Sequence, residues 1–212
     1  RDGQLEVDPE CAIGVLEAFA AAHPDFGLKA TFFVLPNGFG QAGQFHRKLQ
    51  YLVERGLEVG NHTLTHANLK RLSSQGVQAE LAGAQREVQK ALPGYQFFSL
   101  ALPLGIAPKE KRLAAEGAAG GTSYRHGAVL LVGSTPAPSP FDRDFEPYAI
   151  PRVQATDMVE PPYALTAQLK NLVEKKERRY VSDGDPTVVT VPASLKDEVQ
   201  ADRLGGRKLV VQ

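Results

Sequence analysis

Residues 29–36 read KATFFVLP, part of a short apolar run rich in aromatic and β-branched side chains. The run, LKATFFVL at 28–35, is too short for a helix and predicts a buried strand. An amphipathic segment at 45–56, FHRKLQYLVERG, predicts a helix that ends at Gly56. The apolar LEVGN at 57–61 predicts a second buried strand. A strand, a helix and another strand in this order favour an α/β fold on a parallel, covered sheet.

The same alternation extends through the rest of the chain. Upstream, Asp8 and Pro9 predict a helix start with Asp8 as the N-cap, and His23-Pro24 predicts its end. Downstream, helices are predicted at 76–92 and 162–179, and strands at 96–103, at 127–133, just before Arg152, at 187–193 and at 207–212. We therefore expect one domain over 1–212, with a strand region at 178–212. A barrel and an open sheet fit this pattern equally well.

Composition excludes several classes of function. Lys plus Arg and Asp plus Glu are balanced at 24 each, which argues against a nucleic-acid or other polyanion binder. No apolar run reaches the roughly 18 residues that span a bilayer, so we expect no transmembrane segment, and no signal peptide is recognisable. The single Cys11 excludes an internal disulfide and a cysteine metal cluster.

Two of the five histidines lie four residues apart, in NHTLTH at 61–66. They follow a predicted strand, and α/β folds bind ligands beyond the carboxyl ends of their strands. Imidazoles at i and i+4 reach one ion if the backbone is helical there, and they suit Zn, Ni, Co or Fe. Asn61 and Thr63 are candidates to orient the rings of His62 and His66. Spacing alone leaves a second interpretation open, in which both are surface-loop histidines with ordinary hydrogen bonds.

KATFFVLP followed by LVERGLEVGNHTLTHANL resembles the polysaccharide deacetylases, carbohydrate esterase family 4 with the NodB homology domain. APSPFDRDFEPYAIPR and YVSDGDPTVVTVP are more loosely similar to an exported, Gram-positive subset of that family. The resemblance implies a distorted, incomplete (β/α) barrel. It also implies one divalent ion, zinc first with Co, Ni or Fe as alternatives, held by His62, His66 and an Asp. A second Asp would be the general base that activates water against an N-acetyl group.

The family motif that supplies the base and the third ligand, T-F-D-D-G, has only a partial counterpart, RDG at 1–3. In one interpretation Asp2 is the metal ligand and Arg1 stands where the base belongs, which predicts an altered or inactive enzyme. In the other, which we favour, a first strand carrying both carboxylates lies upstream of Arg1, and RDGQLEV is a loop.

Later family motifs are only partly present. ALPLG at 101–105 keeps a Pro and the Gly of the family's R-P-P-Y-G and lacks its Arg and Tyr. The resemblance implies that the backbone N–H of Leu104 faces the oxyanion, although an ordinary turn fits these residues as well. Arg152 follows a predicted strand and is a candidate to bind or orient a carboxylate, with a surface arginine as the alternative. For His126 we predict a surface or loop position rather than a catalytic acid.

The resemblance implies a metal-dependent N-deacetylase that removes acetyl groups from N-acetylglucosamine units of a cell-wall or extracellular polysaccharide. A catalytically weakened relative, which binds glycan without efficient turnover, is the alternative favoured by the missing Arg and by the lack of a histidine near the end of the chain. A (β/α) metabolic enzyme with incidental histidines is a third. We expect a monomer with a glycan partner, located outside the cell or associated with the cell wall or membrane.

Overall fold

The computed structural model describes residues 6–36, 38–41, 43–133, 135–155, 164–175 and 184–212. Four helices and eight strands follow one another in these residues: α1 (Ala12–Ala22), β1 (Thr31–Val34), α2 (Phe45–Glu54), β2 (Glu58–Asn61), α3 (Ser74–Ala91), β3 (Ser99–Ala101), β4 (Glu116–Ala119), β5 (Thr122–Arg125), β6 (Ala128–Leu130), α4 (Leu165–Glu174), β7 (Val188–Val191) and β8 (Lys208–Val211). Short 3-10 helices occupy Leu69–Arg71, Pro103–Gly105, Lys111–Ala114, Ala193–Glu198 and Ala201–Leu204.

A four-stranded parallel sheet in the order β1-β2-β3-β6 forms the centre of the fold. Its inner positions are fully buried at Val59 and Leu100, because α2 and α3 cover the sheet with their apolar residues. The α/β prediction is confirmed. Within the described residues the sheet is open and does not close into a barrel, which agrees with a distorted, incomplete barrel.

The predicted N-cap of the first helix is wrong. Cys11, in extended conformation, precedes α1, and the helix begins at Ala12. The Asp8 carboxylate instead accepts a hydrogen bond from the Glu10 N–H at 2.9 Å, and the Asp8 carbonyl accepts one from the Cys11 N–H at 3.1 Å. Asp8 therefore stabilises a turn before the helix, because its side chain satisfies the nearest amide and not one inside α1.

The predicted helix at 76–92 begins two residues earlier, at Ser74. The hydroxyl of Ser73 accepts a hydrogen bond from the Gly76 N–H at 3.2 Å and caps the helix. A hairpin that the sequence did not reveal, β4 with β5, packs against this helix. Tyr124 is its fully buried aromatic residue, at 2% exposure, and so short a hairpin carries little hydrophobic alternation to detect.

The segment before and around Arg152 is not a strand. It runs beside β6 through an isolated bridge between Leu130 and Ile150, and Pro151 has no N–H to continue a ladder. Downstream, α4 covers part of the helix predicted at 162–179, and 162–163 and 176–179 lie outside the described residues. The predicted strands at 187–193 and 207–212 form β7 and β8, which pair in parallel. None of the described helices is long and apolar enough to cross a membrane.

Candidate metal and oxyanion site

The residues predicted to form the site converge at one edge of the sheet. β2 ends just before His62, β3 ends just before the turn at 102–105, and β6 ends just before Leu131. Because these strands are parallel neighbours, their carboxyl ends meet. The arrangement places the paired histidines, the Leu104 turn and Arg152 together.

His62 is held by the neighbouring strand. Its Nδ1 atom lies 2.8 Å from the carbonyl oxygen of Ala101, the last residue of β3. A carbonyl can only accept, so Nδ1 carries the proton and Nε2 keeps its lone pair. Burial lowers the pKa of His62, the Ala101 carbonyl opposes this shift in part, and His66 and Arg152 lower the pKa further. A neutral imidazole with a free Nε2 is the form that binds a metal.

His66 approaches His62 through a loop and not through a helix. The two ring centroids are 4.9 Å apart at an interplanar angle of 69°. Thr63 and His66 both have left-handed backbones, with φ of 68° and 60°, so the helical geometry assumed for i and i+4 is wrong. We expected Asn61 and Thr63 to hydrogen-bond to the rings of His62 and His66, but among the described contacts neither side chain does so. Instead Asn61 accepts from the Thr63 N–H at 2.8 Å, and the Thr63 hydroxyl accepts from the His66 N–H at 3.0 Å.

Glu80, on α3, is a loop-binding residue that the sequence analysis missed. Its carboxylate accepts hydrogen bonds from the Leu64 N–H at 3.1 Å, from the Thr65 N–H at 2.9 Å and from the Thr65 hydroxyl at 2.8 Å. Together with Asn61, it satisfies the backbone amides between the two histidines. Glu80 lies on a regular amphipathic helix, where a glutamate gives no sequence signal of such a role.

The surface position predicted for His126 is wrong, since its side chain is 1% exposed. Its Nδ1 atom lies 2.7 Å from the Ala114 carbonyl oxygen, and its Nε2 atom lies 3.2 Å from Nδ2 of Asn61. The ring stacks on Tyr124 with centroids 5.4 Å apart. Burial lowers the pKa of His126, and the Ala114 carbonyl opposes this shift in part. The sequence shows that His126 lies just before a short strand, but it does not reveal that β4 and β5 bury the ring.

Leu104 has a left-handed backbone, with φ of 58°, and its side chain is 59% exposed. The turn is closed by hydrogen bonds from the Gly105 N–H to Leu102 and from the Ile106 N–H to Pro103. No residue in the described part of the chain accepts a hydrogen bond from the Leu104 N–H. This amide is therefore available as a donor at the carboxyl end of β3.

Arg152 is anchored beside His62. Its Nε–H donates to the Leu131 carbonyl at 2.6 Å, and its charge contributes to lowering the pKa of His62. Gly133 passes so close to it that a Cβ there would lie 2.4 Å from the Arg152 backbone nitrogen. Arg152 is therefore a half-buried residue of the site edge and not a free surface arginine.

The donor set fits part of a divalent metal site. Two imidazoles suit zinc and the other ions named above, and a catalytic zinc takes a third protein ligand as well. Among the described residues, no third His, Cys, Asp or Glu joins a cluster that could hold a metal. Asp2, the candidate third ligand, lies outside the described residues.

Comparison with known proteins identifies the family of the chain. The polysaccharide deacetylase family profile matches residues 15–119, which include both histidines and the 101–105 turn. YxkH of Bacillus subtilis (strain 168), a candidate polysaccharide deacetylase, is 25% identical over 147 residues, which are 68% of this chain and 49% of YxkH. The chain belongs to the polysaccharide deacetylase family, and it spans about half the length of this curated relative.

One of two solved structures that resemble this chain gives the same fold. A polysaccharide deacetylase from Bacillus cereus superposes with a TM-score of 0.56 at 15% identity, over 77% of this chain and 48% of its own. A CE4 family pseudoenzyme from Bacillus anthracis is 30% identical over 45% of this chain and 31% of its own, with a TM-score of 0.37. The first match confirms the NodB-type α/β fold predicted from the sequence.

Proposed function

We propose that this protein is a metal-dependent N-deacetylase acting on N-acetylglucosamine units of a cell-wall or extracellular polysaccharide. The observation that carries the proposal is the contact from His62 Nδ1 to the Ala101 carbonyl, which leaves Nε2 available beside His66. Family membership supports hydrolysis of an acylated polysaccharide, and the relative YxkH of Bacillus subtilis is a candidate polysaccharide deacetylase. We also propose that the protein acts outside the cell or in association with the cell wall or membrane.

The chemistry assigned to each residue follows from its position. A divalent ion, when bound, lowers the pKa of a coordinated water and polarises an amide carbonyl. His62 and His66 would hold that ion, zinc first, and burial favours the neutral form of the His62 ring. The Leu104 N–H would donate to the substrate oxygen as negative charge develops on it. Arg152 would bind or orient a carboxylate at the same edge of the sheet.

A second candidate is a glycan-binding relative with weak turnover. It is favoured by the absence, within the described ranges, of a carboxylate clustered with His62 and His66 that could act as ligand or base. The two candidates share the metal site and differ only in whether a general base is present. The proposal of an active enzyme therefore requires a base supplied by residues outside those ranges.

The test measures zinc binding and acetate release by the protein, expressed with any residues that its gene encodes before Arg1. We expect one zinc per chain in calorimetry, and acetate release from N-acetylglucosamine oligomers that EDTA abolishes. His62→Ala should weaken zinc binding by more than about tenfold and abolish acetate release. His46→Ala, at an exposed position on α2, is the matched control and should change neither.

The outcomes separate the candidates. Zinc and oligomer binding without acetate release would support the weakened relative. Absence of zinc binding would contradict both, as would acetate release that is unaffected by EDTA and by His62→Ala.

A further inference from the structure

We propose that His126 is a positioning residue for the loop at 61–66 that carries His62 and His66, and that it acts as a hydrogen-bond acceptor for Asn61. The inference rests on the proposed function for its link to metal binding. The loop contact itself can be measured without metal.

The proton on the His126 ring is assigned by its surroundings. The Ala114 carbonyl at 2.7 Å accepts only, so Nδ1 carries the proton. Nε2 then has a lone pair that faces the Asn61 side chain at 3.2 Å, and Asn61 Nδ2 donates to it. The lowered pKa of the buried ring keeps it neutral near pH 7, so the acceptor persists.

This contact sets the orientation of the Asn61 amide. Nδ2 donates to His126 and, at 3.3 Å, to the Leu81 carbonyl. The other end of the amide, Oδ1, must then face the Thr63 N–H, which it accepts at 2.8 Å. Asn61 is fully buried, so a flipped amide would place Oδ1 against the Leu81 carbonyl and Nδ2 against the Thr63 N–H, with no compensation from water.

The orientation of the Asn61 amide affects the backbone that carries the paired histidines. Thr63, fixed by Asn61, has φ of 68°, and its hydroxyl accepts the His66 N–H at 3.0 Å. His66 has φ of 60°, a left-handed backbone conformation that residues other than glycine rarely adopt. These hydrogen bonds thus stabilise the unfavourable left-handed backbone conformations of Thr63 and His66. His126 is the buried end of that chain of contacts.

An apolar ring would fill the same space, so packing alone does not account for an imidazole here. An apolar residue lacks both the donor to the Ala114 carbonyl and the acceptor towards Asn61. His126→Asn should keep the contact with the Ala114 carbonyl, because its amide overlays Nδ1, but it is too short to reach Asn61. His126→Gln extends to the position of Nε2 and can accept from Asn61. The two variants separate acceptor loss from simple removal of the ring.

The experiment compares these variants by amide hydrogen exchange in metal-free protein and by zinc calorimetry. We expect His126→Asn to lower the protection of the Thr63 and His66 amides about tenfold and to weaken zinc binding by roughly 10–100-fold. His126→Gln should stay within about threefold of wild type in both. Tyr124→Phe, which removes the hydrogen bond to the Leu113 carbonyl beside the same ring, is the control for core damage and should leave both amides protected.

Amide protection in His126→Asn equal to that in Tyr124→Phe would overturn the inference. A wild-type measurement tests it even if a variant does not fold: nitrogen chemical shifts should show His126 protonated on Nδ1, and protonation on Nε2 would overturn it. Failure of wild type to bind zinc would count against the proposed function, while the amide measurements would still decide the role of His126.

Discussion

The Nδ1 atom of His62 lies 2.8 Å from the carbonyl oxygen of Ala101, and this contact joins the end of β2 to the end of β3. The two residues are distant in sequence and become neighbours only because the strands pair in parallel. A metal-ligating histidine typically uses its second nitrogen in this way, since the backbone carbonyl fixes both the tautomer and the ring orientation.

We predict that His62 in the metal-free protein carries its proton on Nδ1 at pH 8. The Ala101 carbonyl accepts that proton, and the remaining nitrogen stays free for a ligand. Long-range nitrogen–proton NMR distinguishes the two tautomers, and exposed His46 provides the comparison within the same spectrum. A proton found on Nε2 would contradict the geometry on which the metal assignment depends.

Arg152→Gln is expected to raise the pKa of His62. The guanidinium lowers that pKa by disfavouring a second positive charge nearby, so its removal makes the imidazolium easier to form. Proton NMR titration of the metal-free protein measures the change. Arg47→Gln, at an exposed position on α2, should leave the His62 titration in place, and equal shifts in both variants would show that Arg152 has no specific effect.

Glu80→Gln should destabilise the protein by about 1–2 kcal/mol, because a neutral amide replaces a carboxylate that accepts three hydrogen bonds from the histidine loop. Glu87→Gln on the same helix is the matched control. Within the described part of the chain, the partner of Glu87 is the exposed Lys90, and this contact is worth at most about 1 kcal/mol. Urea denaturation of the metal-free proteins measures both, and equal losses would argue against a role for Glu80 in the loop.

Gly105→Ala tests the turn that presents the Leu104 N–H. A Cβ at Gly105 would lie 2.8 Å from the Val132 nitrogen, and the backbone has φ of 68°. We expect a loss of about 2–4 kcal/mol, from backbone strain together with overpacking. Gly121→Ala, with φ of 76° and open space around the added carbon, should lose only the strain of about 1–2 kcal/mol. Thermal denaturation compares the two, and similar losses would mean that the Val132 contact relaxes freely.

Stability should fall as the pH falls below 6.5, the ordinary pKa of histidine, because burial lowers the pKa of His126 in the folded state. Between the folded and unfolded pKa values the unfolded chain binds more protons, so acid favours unfolding, and the contribution of neutral His126 is complete above pH 6.5. The pKa of His62 is also lowered in the folded state, so His62 contributes a further loss of stability as the pH falls.

His126→Gln should therefore flatten the acid limb of a plot of unfolding free energy against pH. Tyr124→Phe should keep the acid limb, since burial raises the pKa of Tyr124 to about 12 and its phenol does not titrate in acid. An unchanged acid slope in His126→Gln would show that the buried ring does not resist protonation.

Several features could be predicted from short stretches of sequence. The apolar run at 28–35, the helix at 45–56 and the strand at 57–61 indicate their own conformations, because hydrophobic periodicity is a local property. The motif NHTLTH predicted both histidines at the end of a strand, and in the structure their ring centroids lie 4.9 Å apart. The prediction that Asp8 caps α1 was wrong because several amides compete for one carboxylate, and the sequence does not show which of them is nearest.

Only the tertiary structure decided how the pair is supported. Three groups from distant segments reach the loop: the carbonyl of Ala101 at the end of β3, the carboxylate of Glu80 on α3, and the buried ring of His126 just after β5. Each is an ordinary residue in its own segment, and its role depends on strand order and helix packing across long sequence separations. The sequence by itself determined which residues could bind a metal, whereas the fold determined which atoms orient them, because hydrogen bonds between distant segments exist only once the sheet has formed.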